Sequence, residues 1–178
     1  AVAPSDVCTG EVTDVVLTGS NLTENTTVTV GNEEATVLSA ESDGSQLTAQ
    51  VPDTLGPGSY DVTVANGETC SDTLTSAIEV HPNPLVFFID PQAVYNQTSV
   101  QATIFTADLD QTAQSVTLID SDNNETDVSN FSSPQRPNRI QAEIPAALDA
   151  DTYDVRVTST YGCSGTLTDG LEVTDTTD

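Results

Sequence analysis

The sequence contains no lysine, no methionine and no tryptophan, and only three arginines, one histidine and three cysteines in 178 residues. Against those few cations stand 28 Asp and Glu, for a formal net charge of −25. A surface of that sign repels phosphate backbones, which excludes nucleic-acid binding. It also repels anionic lipid. No apolar run approaches the roughly 18 residues needed to span a bilayer. Without lysine there is no Gly-rich phosphate loop of the usual kind. Aromatics are 4% of the chain, so a sugar-stacking cleft is poorly supplied. Phe87, Phe88, Tyr95, Phe105 and Phe131 are scattered along the sequence and define no aromatic face. His81 lies in a proline-rich stretch with no G-x-S-x-G elbow, which leaves a Ser-His-Asp triad without support. Carboxylates are so numerous that counting alone identifies no glycosidase pair. The sequence reads as non-enzymatic.

What is present is β structure. Hydrophobic residues make up 36%, and low hydrophobicity with high charge is also a signature of disorder. The pattern argues otherwise. Val28-Thr29-Val30 and Tyr60-Asp61-Val62-Thr63-Val64 alternate β-branched or aromatic residues with polar ones, as a half-buried strand requires. Strands are predicted at Val12–Gly19, Thr26–Gly31, Glu34–Ala40, Gln46–Val51, Gly58–Ala65 and Thr75–Val80. Turn signals separate them at Gly31-Asn32, Asp43-Gly44, Gly56-Pro57-Gly58 and Asn66-Gly67. No long window carries a helical apolar stripe. Short strands at this spacing predict a β-sandwich.

The chain repeats itself. Residues 47–80 align without a gap on residues 140–173 at an offset of 93, with 14 of 34 positions identical. The shared positions include Pro52/Pro145, Leu55/Leu148, Tyr60/Tyr153, Cys70/Cys163 and Val80/Val173. Val15–Leu22 and Val100–Leu109 correspond more loosely. Two copies of one module are therefore predicted, at 1–81 and 82–178. The join, His81-Pro82-Asn83-Pro84, forbids helix and reads as a stiff connection. Tyr60 and Tyr153 each open a strand after a corner, where a tyrosine buries its ring and bonds its hydroxyl to nearby backbone.

Leu17-Thr-Gly-Ser-Asn-Leu22, Val28-Thr-Val-Gly31, Val51-Pro52, Leu55-Gly-Pro-Gly-Ser-Tyr-Asp-Val-Thr-Val64 and Asn66-Gly67 resemble the IPT/TIG domain. That family is an immunoglobulin-like module of plexins, some transcription factors and many bacterial surface proteins. The second copy is similar but diverged. Phe88-Ile89-Asp90-Pro91 is similar to the family's first strand, while Asp149-Ala150-Asp151 replaces Gly-Pro-Gly and Thr106-Ala107-Asp108 replaces Gly-Ser-Asn. The resemblance implies an all-β fold of two immunoglobulin-like sandwiches in tandem. It offers no catalytic residues. The family's DNA-contacting role needs basic loops that this chain lacks.

The remaining expectations concern sites. Three cysteines with no C-x-x-C pair point to a disulfide and an oxidising compartment. Cys8 and Cys70 are expected to pair. Tyr95 stands where the second copy needs a counterpart of Cys8, so Cys163 is expected to be free or bonded outside this segment. Sequons at Asn21, Asn25, Asn96, Asn124 and Asn130 are glycosylation candidates. Asp120, Asp122 and Asn124 have the 1, 3, 5 spacing of a calcium loop, but Glu125 replaces its glycine and Phe131 its last ligand. They read as a polar turn with calcium as the alternative, and Asp149 and Asp151 form a weaker cluster. Arg136 and Arg139 share one loop and are the candidate contact with an acidic surface of a neighbour. The start at Ala1 reads as a mature or excised fragment. The function expected is an extracellular structural or adhesion module, either a spacer or self-assembling into a surface fibre. The alternative is an accessory carbohydrate-binding pair of a secreted hydrolase.

Overall fold

In the computed structural model, residues 1–67, 69–109, 112–132 and 138–175 are described. They divide into two compact units, Ala1–Pro82 and Asn83–Asp178. Arg136, one of the two expected contact residues, lies outside the described residues.

Unit 1 comprises β1 (Val2–Ala3), β2 (Asp6–Cys8), β3 (Thr13–Thr18), β4 (Thr27–Val30), β5 (Glu33–Ala40), β6 (Gln46–Val51), β7 (Gly58–Asn66) and β8 (Cys70–His81). They form one continuous sheet in the order β1-β3-β6-β5-β4-β7-β8-β2. The long strand β5 pairs with β4 through its first half and with β6 through its second, so it belongs to both layers of the sandwich. Alternation is the reason for the packing. Val28, Val30, Leu47, Ala49 and Val51 point inward and are buried, while their neighbours face water.

Unit 2 comprises β9 (Leu85–Asp90), β10 (Ala93–Tyr95), β11 (Val100–Ala107), β12 (Ala113–Ile119), β13 (Glu125–Asp127), β14 (Phe131–Ser132), β15 (Arg139–Ile144), β16 (Asp151–Ser159) and β17 (Ser164–Thr174). Two sheets, β10-β17-β16-β12-β13 and β14-β15-β11-β9, face each other. Ile89, Ile104, Leu118, Ile140, Val155 and Leu171 fill the space between them. In both units the first strand splits. Its first part pairs in one sheet, then passes a cis proline, Pro4 or Pro91, and its second part joins the other sheet parallel to the last strand. That arrangement, with the strand orders above, is the immunoglobulin-like sandwich.

The offset of 93 holds in three dimensions. β6 maps onto β15 and β7 onto β16 residue for residue. Tyr60 donates its hydroxyl to the Gly56 carbonyl at 2.9 Å, and Tyr153 donates to Asp149 at 3.0 Å. Both last strands bulge at the same place, after Tyr60 and after Tyr153. At the bulge Ser76 and Asp169 adopt φ of 49° and 50°. Their amides donate to Asp61 and Asp154, both at 2.8 Å. A carboxylate acceptor thus satisfies the amide that the bulge takes out of the ladder.

The expected Cys8–Cys70 bond is not the one formed. Cys8 and Cys163 are disulfide-bonded, and Cys70 is free and exposed. The reason is the length of β8. Cys8 pairs across from His81 at the end of that strand, whereas Cys70 begins it, eleven residues away. At about 3.3 Å per residue this separation is roughly 35 Å, far outside disulfide reach. Alternation in the sequence marks this strand only from Thr75, five residues after its start at Cys70, which hides that separation. It also misses β1 and β2, which are too short to show a pattern. Tyr95 does stand in the place of Cys8: it pairs with Thr174, the counterpart of His81.

Candidate functional site

The outward face of the sheet formed by β14, β15, β11 and β9 is the most distinctive surface of unit 2. Register builds it. Phe105 on β11 has Phe88 as its cross-strand partner on one side and Arg139 on the other. Residues directly opposite each other on antiparallel strands project to one face and touch. The rings of Phe88 and Phe105 lie 5.8 Å apart, tilted by 45°. The Arg139 guanidinium sits over the Phe105 ring, 5.0 Å from its centroid, a cation–π geometry. Leu85 and Phe87, from the same edge strand, are 51% and 55% exposed, and Phe88 is 40% exposed. Along the strands the face becomes polar, where Gln141 Nε2 donates to Thr103 Oγ1 at 3.0 Å.

The aromatic residues are therefore not scattered in space. Phe88 and Phe105 are seventeen positions apart in sequence and adjacent in the fold. Phe131, by contrast, packs against the core, and Tyr95 is on the other sheet. Only a prediction of which strands pair, and in what register, reveals the cluster from sequence.

The two described arginines differ. Arg156 makes a bidentate bridge to Glu125, at 2.9 and 2.7 Å. The Glu125 carboxylate raises the Arg156 pKa and is itself held below the usual range. Arg139 has no carboxylate within ion-pair distance among the described residues.

At the opposite end of unit 2 lies an acidic tip. The β12–β13 turn and the β15–β16 loop meet there, with Ser121 donating its amide and hydroxyl to Asp151 at 3.0 and 2.7 Å. The Asp120 carboxylate accepts the amides of Asp122 and Asn124 and the Asn124 side chain. These bonds, the Asn124 side chain first, lower the Asp120 pKa, while the field of Asp151 opposes them. Asp151 is lowered chiefly by Ser121. Burial, followed by the charges of Asp120, Asp149 and Asp151, raises the Tyr153 phenol. Both Asp120 oxygens are thus engaged by their own turn. Among the described residues no group of three or more His, Cys, Asp or Glu is placed to hold a metal ion.

His81 is buried, its Nε2 2.8 Å from Asp6 Oδ1. This contact lowers the Asp6 pKa and ties β2 to the end of β8. The sequons fall into two groups. Asn96, Asn124 and Asn130 donate their side-chain amides to Leu148, Asp120 and Glu143. Asn21 and Asn25 are exposed in the β3–β4 loop.

Residues 2–78 match the IPT/TIG domain family. No curated protein matches the sequence. Among solved structures the chain is similar to the Bacteroides ovatus mixed-linkage glucan utilization locus protein SGBP-B, solved with a mixed-linkage heptasaccharide. The identity is 19%, covering 96% of this chain and 43% of that one, with a TM-score of 0.38. It is also similar to a marsupial T cell receptor at 9% identity, covering 97% and 72%, with a TM-score of 0.48. Plexin A4 aligns at 17% identity over 84% of this chain and 13% of its own extracellular region, with a TM-score of 0.42. The chain thus spans less than half of the glucan-locus protein and a small part of the plexin.

Proposed function

We propose that this chain, whose residues 2–78 match the IPT/TIG domain family, is a non-enzymatic module of an extracellular or cell-surface protein, with a structural or adhesive role. It works through protein contacts, either with further copies of itself or with neighbouring repeats of a longer chain. The observation that carries this reading is the exposed face of Leu85, Phe87, Phe88 and Phe105 with Arg139 above it. Large apolar side chains kept at a surface mark an interaction site. Elsewhere the polar groups that suggested chemistry serve the fold: His81 anchors β2, Asp61 and Asp154 cap bulges, and Asp120 closes a turn. Two disulfide-bonded cysteines favour an oxidising compartment. No described helix is long and apolar enough to cross a membrane.

The test is location. Antibody raised against the chain should label intact source cells, or their secreted fraction, without permeabilisation. Labelling only after permeabilisation refutes the reading. A second reading, carbohydrate binding, is favoured by the exposed Phe88 ring beside Thr103, Gln141 and Asp90 on the same face. It predicts that a neutral polysaccharide embedded in a native gel retards the protein and that Phe88→Ala abolishes the retardation.

A further inference from the structure

We infer that the Arg139–Phe105–Phe88 face docks the acidic tip of unit 2 of a second copy of this chain. The inference rests on the reading as a protein-contact module and names the partner. Three observations lead to it. The first is charge. Arg139 is a cation without a carboxylate partner among the described residues, in a chain of net charge −25. Its guanidinium is positioned by an aromatic ring and keeps its donors for an incoming acid. The second is polarity within unit 2. Asp122 and Asp149 are exposed on the tip built by the β12–β13 turn and the β15–β16 loop, which lies beside the start of β11. Arg139 pairs with Phe105, five residues further along β11. Those five residues span roughly 17 Å, so the guanidinium does not reach the tip of its own unit, and the tip of a second copy supplies the complementary acid. The third is the edge. β9 is the terminal strand of its sheet and carries Leu85, Phe87 and Phe88 exposed. A terminal strand that carries an apolar surface is a place where chains associate.

The two surfaces differ, so the contact is heterologous and propagates from copy to copy. The exposed parts of the three β9 side chains amount to about 300 Å², well below the area of a stable interface. The association is therefore weak, and repulsion between acidic copies weakens it further until salt screens the charge over about 8 Å.

The experiment is sedimentation velocity of the whole chain from about 10 μM to 1 mM in 0.15 M salt. The wild type is expected to show a weight-average sedimentation coefficient that rises with concentration. Arg139→Glu and, separately, Phe88→Ala are expected to weaken association at least about tenfold. Both sites are exposed, and the circular dichroism of each variant should match the wild type. Adding Asp122→Arg and Asp149→Arg to Arg139→Glu swaps the charges and should restore association. A strictly monomeric wild type at the highest concentration overturns the inference. So does association that survives both single variants, or failure of the swapped variant to recover. A monomeric wild type that a neutral polysaccharide retards through Phe88 assigns the face to sugar and overturns it as well. Surface labelling of cells is independent of all these outcomes, so failure of the docking contact and failure of the surface-module reading are distinguishable.

Discussion

Gly165→Ala should destabilise unit 2 selectively. Gly165 lies in β17 directly beneath the turn that feeds β9. A Cβ built on it falls 1.7 Å from the Pro84 carbonyl oxygen and 2.8 Å from the carbonyl carbon. Contacts under 3.0 Å are essentially never made by real Cβ atoms, so the two backbones must separate by at least 1.3 Å. Neither is the tip of a flexible side chain. Separation lifts the start of β9 away from β17 and loosens Val86, which is buried in the core. Overpacking of this kind costs up to about 3 kcal/mol, and the rigid backbone places Gly165→Ala at that upper end. For a unit of this size a loss of about 3 kcal/mol lowers Tm by about 12–24 °C. Gly170→Ala is the control. There the crowding atoms are the side-chain tips of Leu167 and Val155, at 2.8 and 3.1 Å. They can rotate, and a loss near 1 kcal/mol is expected. The repeat supports the contrast, because the counterpart of Gly165 in unit 1 is Asp72, an ordinary exposed strand residue. Differential scanning calorimetry of the whole chain is the assay, following the transition of unit 2. A Tm change below about 3 °C, or a smaller effect than that of Gly170→Ala, refutes the steric argument.

Four further outcomes are expected. Alkylation without reductant should label Cys70 alone, located by peptide mapping; a label on Cys8 or Cys163 contradicts the pairing state found here. Tyr60→Phe and Tyr153→Phe should each cost about 1 kcal/mol in urea unfolding, and more at the buried Tyr153 than at Tyr60. Asp151 has its folded pKa lowered below 3.8, so its contribution is present above that value and is lost as pH falls through the folded pKa. Asp151→Asn should therefore be less stable than the wild type at pH 7, and the two should converge once the pH is well below 3.8; a constant difference in urea melts excludes the linkage. Added monovalent salt should raise Tm, because a charge of −25 repels itself in the compact state; a fall in Tm contradicts this.

The repeat made much of the fold legible. Pro52/Pro145, Tyr60/Tyr153 and Cys70/Cys163 fix the register of two modules in one dimension, and β6, β7, β15 and β16 keep that register in three. Both tyrosine corners follow from the position of a tyrosine at a strand start. Short elements were not legible: β1, β2 and β10 have two or three residues, too few for alternation to show. The Cys8–Cys70 expectation failed because Cys70 opens β8 while Cys8 lies across from its last residue, a separation set by the length of that strand. The aromatic face was missed for a related reason. A Phe88–Phe105 contact is a statement about the pairing of β9 with β11, and no local pattern around either residue contains it.

β5 has a consequence for growth by strand addition. By serving both layers it joins unit 1 into a single ribbon whose two ends are β1, with two residues, and β2, with three. An incoming strand finds almost no template there. Unit 2 has no such shared strand, and its two sheets end in β10, β13, β14 and β9. Of these β9 is the longest, at six residues. One member of the duplicated pair thus ends only in margins of two and three residues, while the other keeps one of six. In a longer array of such pairs, a six-residue margin would recur once per pair instead of once per module, and duplication followed by divergence would set the spacing between such margins.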